Sequence, residues 1–126
     1  MKYGRHVIPI YNILLMVFPD IETASGIMTE TDFSSGDFSA MTLFTPKPDT
    51  GIPCITITFK SAEYYNASEV IHESIHAAWD VLDAVGVKVS RSNHEALAYL
   101  ADHIGGFVFE WMDSYIEEIE NKKAPT

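Results

Sequence analysis

The spacing of apolar residues changes near residue 65, and this change constrains the fold more than any other feature of the sequence. Between Ile52 and Lys60, Ile55, Ile57 and Phe59 alternate with smaller or polar side chains, which is the period of a β-strand. From residue 66 onward apolar residues recur every three or four positions, as in an amphipathic helix. We therefore predict an α+β fold, with strands and loops in residues 1–65 and two helices in residues 66–121.

Three segments of the first half have the length and composition of strands: Ile10–Phe18, Phe38–Thr45 and Ile52–Lys60. Pro19 and Asp20 end the first segment, and the turn-forming residues 46–51 separate the other two. Residues 19–37 are rich in Thr, Ser, Gly and Asp, which predicts a loop with a turn at Ser34–Asp37. We expect a small antiparallel sheet packed on two main helices.

The length of 126 residues indicates one domain, and a formal charge of -10 limits its partners. Nucleic acid and anionic membranes repel such a charge, whereas a basic peptide or protein is attracted. The single Cys54 cannot form an intramolecular disulfide, so we expect a buried thiol in a reducing, cytoplasmic compartment. The apolar stretch Val7–Phe18 contains Pro9 and Asn12, which favours a strand over a signal peptide.

The second half predicts two helices. Asn66 or Ser68 can cap the first, which runs to Val85 and ends at Gly86. At 100° per residue its core-facing stripe contains Ile71, Ile75, Ala78, Leu82 and Val85.

The second helix starts at a Ser92 cap and extends to Ile119, with residues 121–126 frayed. Because glycine disfavours helices, Gly105 and Gly106 predict a kink or close packing against a neighbour.

The sequence His-Glu-Ser-Ile-His at residues 72–76 is the motif with the clearest chemistry. On a helix, His72 and His76 lie one turn apart on one face, so both imidazoles can reach a single zinc ion about 2 Å away. Glu73 is rotated off that axis, where it is better placed to accept a proton from a metal-bound water than to ligate. We predict a zinc site with Glu73 as general base.

A catalytic zinc ion takes three protein ligands, so one more is required. The candidates are Glu95, His94, Asp102 and His103. Glu95 follows His76 by 19 positions, in the first turn of the next helix, where two antiparallel helices can present all three ligands to one point. Ser92 and Glu95 also fit a capping box, in which the carboxylate would bind the Ser92 amide. Both interpretations remain open at this point.

The sequence HESIH followed by HEALAY at residues 94–99 resembles the gluzincin branch of zinc metallopeptidases, and still more the short zincin-like proteins encoded by bacteriophages. The resemblance covers about residues 66–110. It implies a zincin-like minimal metallopeptidase core, zinc as the cofactor and peptide hydrolysis, in the host cytoplasm if a phage encodes the chain. It assigns His72, His76 and Glu95 as zinc ligands and Glu73 as general base.

Gluzincins usually carry a second domain that walls the active-site cleft, and a chain of this length has no room for it. The alternative is therefore a binding protein that keeps a zincin fold and a structural zinc but has little or no activity. For a peptidase, the strand Ile52–Lys60 directly precedes the motif helix. We expect it to be a sheet edge on which an extended peptide pairs by β-augmentation.

Overall fold

The computed structural model describes residues 2–33 and 37–123. Within these ranges the chain forms a four-stranded sheet and three α-helices, which confirms the predicted α+β class. The strands are β1 (Gly4–Ile8), β2 (Ile13–Phe18), β3 (Ala40–Pro46) and β4 (Pro53–Phe59). The helices are α1 (Ile21–Ile27), α2 (Ala67–Ala84) and α3 (His94–Lys123), and a short 3-10 helix, Ala62–Tyr64, precedes α2.

The sheet is mixed, with the strand order β1-β2-β4-β3. β1 pairs antiparallel with β2, and β3 antiparallel with β4, but β2 and β4 run parallel. The prediction of an antiparallel sheet is therefore wrong. Parallel strands need a long crossover connection, which here contains α1 and β3. The almost completely buried β2 and β4 then occupy the centre of the sheet, as expected for strands covered on both faces.

Both faces of the sheet are covered because side chains alternate along each strand. On one face Leu15, Val17, Ile55 and Ile57 pack against α2 and α3. On the other, residues of β2 and β4 pack with α1 and its flanks, in a cluster formed by Met16, Phe18, Ala24, Met28, Phe33 and Cys54. The expectation that Cys54 is buried is confirmed.

The apolar stretch at the N-terminus forms a hairpin, whereas the sequence predicted one strand over Ile10–Phe18. Asn12 has a φ of 56° and donates its backbone N–H to the Ile8 carbonyl at 2.9 Å, which closes the turn between β1 and β2. Asn tolerates this left-handed conformation. Ile10 also has a positive φ, of 73°, in spite of its branched side chain, and 90% of it is exposed.

Helix α1 occupies part of the predicted loop 19–37. The Asp20 carboxylate accepts a hydrogen bond from the Thr23 backbone N–H at 2.7 Å, so Asp20 caps the helix. This Asp-x-x-Thr start is a capping signal that the loop-like composition of the segment obscures. The predicted turn at Ser34–Asp37 lies mostly outside the described residues.

Helix α2 begins and ends where the sequence predicts. The Asn66 side chain accepts a hydrogen bond from the Glu69 backbone N–H at 3.0 Å, and Gly86 follows the helix with a φ of 82°.

The predicted core stripe of α2 is partly wrong, because Ile71, Ile75 and Val85 are exposed. The buried face is instead formed by Val70, Glu73, Ser74, Ala77, Ala78, Val81 and Leu82. The helix packs on both α3 and the sheet. Because α2 must lie close to two neighbours, the face that is buried is the one with the small side chains Ser74, Ala77 and Ala78.

Helix α3 begins at His94, two residues after the predicted cap, and continues to Lys123, beyond the predicted fraying point at residue 121. The Asn93 side chain is hydrogen-bonded to the preceding loop: its Oδ1 accepts from the Ser90 backbone N–H at 2.6 Å, and its Nδ2 donates to the Lys88 carbonyl at 2.6 Å. The predicted close packing is confirmed at Gly105 but not at Gly106, which has no neighbouring atom within 4 Å of an added Cβ. A Cβ added to Gly105 would lie 3.3 Å from Ser74 Oγ on α2.

Candidate metal centre

His72 and His76 lie one turn apart on α2, and their imidazole rings converge. The two Nε2 atoms are 3.2 Å apart, and the ring centroids are 4.8 Å apart with the rings nearly perpendicular. Two nitrogens that each lie 2.0–2.1 Å from one tetrahedral ion are separated by roughly 3.3 Å. The imidazole pair therefore fits two ligand positions of a zinc ion.

The His pair lies on the solvent side of α2. At 100° per residue, both histidines are about 160° around the helix from Ser74, which faces the core. Both are exposed, and the side chain of His72 retains 66% of its accessible surface. An ion held here has its remaining coordination positions open to water or to a bound molecule.

Glu73 is buried beside the exposed His pair, with only 5% of its surface accessible. Its Oε1 accepts a hydrogen bond from the Thr42 hydroxyl on β3 at 2.8 Å. The other oxygen, Oε2, lies 3.8 Å from His72 Nε2. One carboxylate oxygen is thus anchored to the sheet while the second is directed toward the candidate metal position, as a general base requires.

Thr42 is the residue that sequence reasoning missed. It is 31 positions from Glu73 in the chain, and its hydroxyl also contacts the Glu73 carbonyl oxygen at 3.2 Å. No local motif marks this threonine, because its role depends on how β3 packs against α2.

Within the described residues, none of the four candidates for the third ligand is grouped with His72 and His76. Asp102 lines the groove between α2 and α3 together with Ile71 and Ile75, and His103 contacts His6 on β1. His94 and Glu95 are exposed in the first turn of α3. Among residues 2–33 and 37–123, no three His, Cys, Asp or Glu side chains are grouped closely enough to hold a metal ion.

The placement of α3 explains this separation. Gly105 of α3 packs on Ser74, so α3 lies on the Ile71 and Ile75 side of α2, away from the direction in which His72 and His76 point. The alternative capping box also lacks its expected contact, since among the described residues the Glu95 carboxylate makes no hydrogen bond to the Ser92 amide; the Ser92 hydroxyl instead lies 3.1 Å from Ser90 Oγ. Within the described residues the Glu95 carboxylate makes no hydrogen bond, and its role as third ligand stays a prediction.

Asp80 lies one turn beyond His76 on α2. Burial raises the pKa of this carboxyl group, while the nearby His76 lowers it and Asp83 raises it further. An acidic side chain at this position adds negative potential next to the His pair, which favours a cation there.

The sheet edge nearest the site is β3, and this corrects the prediction that the strand Ile52–Lys60 is the edge. That segment forms β4, which is paired on both sides, with β2 and with β3. β3 has one unpaired side and lies next to Glu73 through Thr42. The free strand edge next to the candidate site is therefore that of β3.

Comparison with family models, with curated proteins and with solved structures finds no match for the chain. None of the described helices combines the length and the apolar character needed to cross a membrane.

Proposed function

We propose that the protein is a zinc-dependent metallohydrolase that acts on peptides, with His72 and His76 as zinc ligands and Glu73 as general base. The 3.2 Å separation of the two imidazole Nε2 atoms carries this proposal, because it matches two ligands of one tetrahedral ion. The buried Glu73 carboxylate next to the pair supports an enzymatic role, since a purely structural metal site needs no base.

Zinc, when bound, supplies a Lewis acid that polarises a carbonyl group and lowers the pKa of water toward about 7. The contribution of the chain itself is proton transfer. Glu73 Oε2 accepts the proton of the attacking water and returns it to the departing amine nitrogen, so the carboxylate is regenerated when the amide bond has broken. The hydrogen bond from Thr42 to Oε1 keeps Oε2 turned toward the reaction.

Glu95 is the proposed third ligand. Its carboxylate is exposed and makes no hydrogen bond within the described residues, so zinc does not compete with another side-chain contact for it. It lies in the first turn of α3, and helix ends open at low cost in free energy. Zinc binding is therefore expected to change the environment of the first turn of α3 as well as that of the His pair.

The proposed substrate is an extended peptide that pairs with the free edge of β3. Main-chain hydrogen bonds to an edge strand provide affinity without demanding a particular sequence. Thr42 joins this strand to Glu73, so a peptide along β3 passes close to the general base. The charge of -10 favours basic peptides over acidic ones.

The second candidate is a zinc-binding interaction protein with little or no hydrolytic activity. The observation that favours it is that, among the described residues, no third His, Cys, Asp or Glu side chain is grouped with His72 and His76. In that case the open coordination positions take a group from the partner, and Glu73 has no chemical role.

The substitution Glu73→Gln separates the two candidates. Gln fills nearly the same volume but cannot accept the proton of water, so we expect zinc binding to persist and zinc-dependent cleavage of a peptide library to fall by at least about a hundredfold. Glu63→Gln, which neutralises an exposed carboxylate just before α2, is the matched control and should keep full activity. Cleavage at the wild-type rate by the Glu73→Gln protein removes Glu73 from the mechanism. Absence of cleavage by the wild type across a broad library favours the interaction protein.

A further inference from the structure

A second pair of imidazoles lies at the contact between β1 and α3. His6 Nε2 and His103 Nε2 are 2.8 Å apart, and the ring centroids are 4.9 Å apart. The two residues are 97 positions apart in the chain, so the contact connects its N-terminal strand with its C-terminal helix. Neither residue belongs to the α2 site.

The pair is held by packing around it. Phe107, one turn after His103, stacks on the His6 ring with a centroid distance of 4.9 Å and an interplanar angle of 18°. Two residues earlier on β1, Gly4 lies directly under the Trp111 indole, where an added Cβ would be 2.8 Å from the ring. Strand and helix therefore approach closely next to the imidazole pair, and the stacked Phe107 ring fixes the direction of the His6 ring.

The environment of His6 favours its neutral imidazole, the form that binds a metal ion. Burial lowers the pKa of His6, and the nearby His103 lowers it further, so the pair is disfavoured as a dication. His103 is exposed, which leaves space for water molecules next to the two nitrogens. The overall charge of -10 favours a cation at such a position.

We propose that His6 and His103 form a second metal site, which holds a divalent transition-metal ion through their Nε2 atoms and completes its coordination with water. Two nitrogens at about 2.0–2.1 Å from one ion and at right angles to each other are separated by roughly 2.9 Å. The observed 2.8 Å fits adjacent positions of square-planar or octahedral ions such as Cu²⁺ and Ni²⁺. The His72 and His76 pair is wider, at 3.2 Å, and fits a tetrahedral ion.

The ion would connect β1 to α3, two elements that are distant in the sequence, and so would stabilise the folded state. Any ligand that binds only the folded state raises its stability as its concentration exceeds the dissociation constant. Because β1 is an outer strand that pairs with a neighbour on one side, an additional attachment to α3 helps to hold it in the sheet.

The test uses Ni²⁺ and the untagged protein carrying His72→Gln and His76→Gln, so that the α2 site cannot contribute. We expect one equivalent of Ni²⁺ to bind, with paramagnetic broadening of amide signals from β1 and from the part of α3 around His103. Adding either His6→Gln or His103→Gln should weaken the Ni²⁺ affinity at least about tenfold, since each removes one of two protein ligands.

His94→Gln in the same background is the matched control, because it removes an exposed imidazole from the same helix and should leave Ni²⁺ binding unchanged. His6→Gln and His103→Gln each remove one proposed ligand, so the test still holds if one of these two variants fails to fold. His103→Gln alters only an exposed ring. Affinity that survives both substitutions, or broadening confined to other parts of the chain, would overturn the proposal. The result is independent of zinc binding by α2, which is disabled throughout.

Discussion

At the scale of single residues, the site depends on how one buried carboxylate is held. Glu73 is almost completely buried, and its described hydrogen-bond donor is the Thr42 hydroxyl, at 2.8 Å. A buried charge without sufficient partners is costly, so this contact matters for stability as well as for the orientation of the base.

Thr42→Val is expected to destabilise the fold by about 1–3 kcal/mol, because valine has nearly the same shape but leaves the carboxylate without its donor. The free energy of unfolding in urea at neutral pH measures the effect. Thr45→Val on the same strand is the control, since within the described residues the Thr45 hydroxyl makes no hydrogen bond. Its effect should stay within roughly 0.5 kcal/mol. Equal losses in the two variants would show that the bond to Glu73 contributes nothing.

Glu95→Gln distinguishes the third-ligand proposal from a capping role. A neutral amide is a poor zinc ligand, so we expect zinc affinity to fall at least about tenfold, whereas a capping box accepts Gln almost as well as Glu. Competition with a chromophoric chelator measures the affinity. Glu117→Gln, a neutralised exposed carboxylate near the other end of α3, serves as the control for lost charge. An unchanged affinity for Glu95→Gln would leave the metal with His72 and His76 as its protein ligands.

At the scale of elements, the contact between α2 and α3 decides where the candidate ligands lie. Gly105 allows α3 to approach Ser74 of α2, whereas Gly106 has nothing within 4 Å of an added Cβ. The two adjacent glycines are therefore not equivalent, although the sequence gives no way to tell them apart.

Gly106→Ala should stabilise the protein by about 1 kcal/mol, because alanine favours a helix and meets no neighbour here. Gly105→Ala gains the same helix propensity but places its methyl group 3.3 Å from Ser74 Oγ, so we expect it to be at least about 1 kcal/mol less stable than Gly106→Ala. Thermal and urea unfolding of the two variants provide the comparison. If both glycines accept alanine equally well, the helices are not in close contact at Gly105.

At the scale of the whole molecule, features that depend on neighbouring residues can be predicted from the sequence, whereas contacts between distant segments cannot. The ends of α2 follow from Asn66 and Gly86, and the convergence of the His pair follows from its spacing of four residues. The β1-β2 hairpin was missed because Ile10 adopts a backbone conformation that its side chain disfavours. The parallel pairing of β2 and β4 also escaped prediction, since local alternation does not specify strand direction.

The same limit applies to the candidate site. Its two imidazoles and its carboxylate belong to one helix and could be predicted from five consecutive residues. Thr42 and the true edge strand, β3, come from the packing of the sheet on α2. The face of α2 that receives α3 is set by the Gly105 and Ser74 contact, and this contact directs α3 away from His72 and His76.

The central claim is that His72 and His76 together hold one zinc ion, and direct metal analysis of the dialysed protein tests it. We expect about one equivalent of zinc per chain in the wild type and in the controls His94→Gln and His103→Gln, because neither control residue lies at the His pair. His72→Gln and His76→Gln should each lose the tightly held zinc, since either change leaves too few ligands for a stable site. A full equivalent retained by both of these variants, or no zinc bound by the wild type after incubation with zinc and dialysis, would contradict the claim.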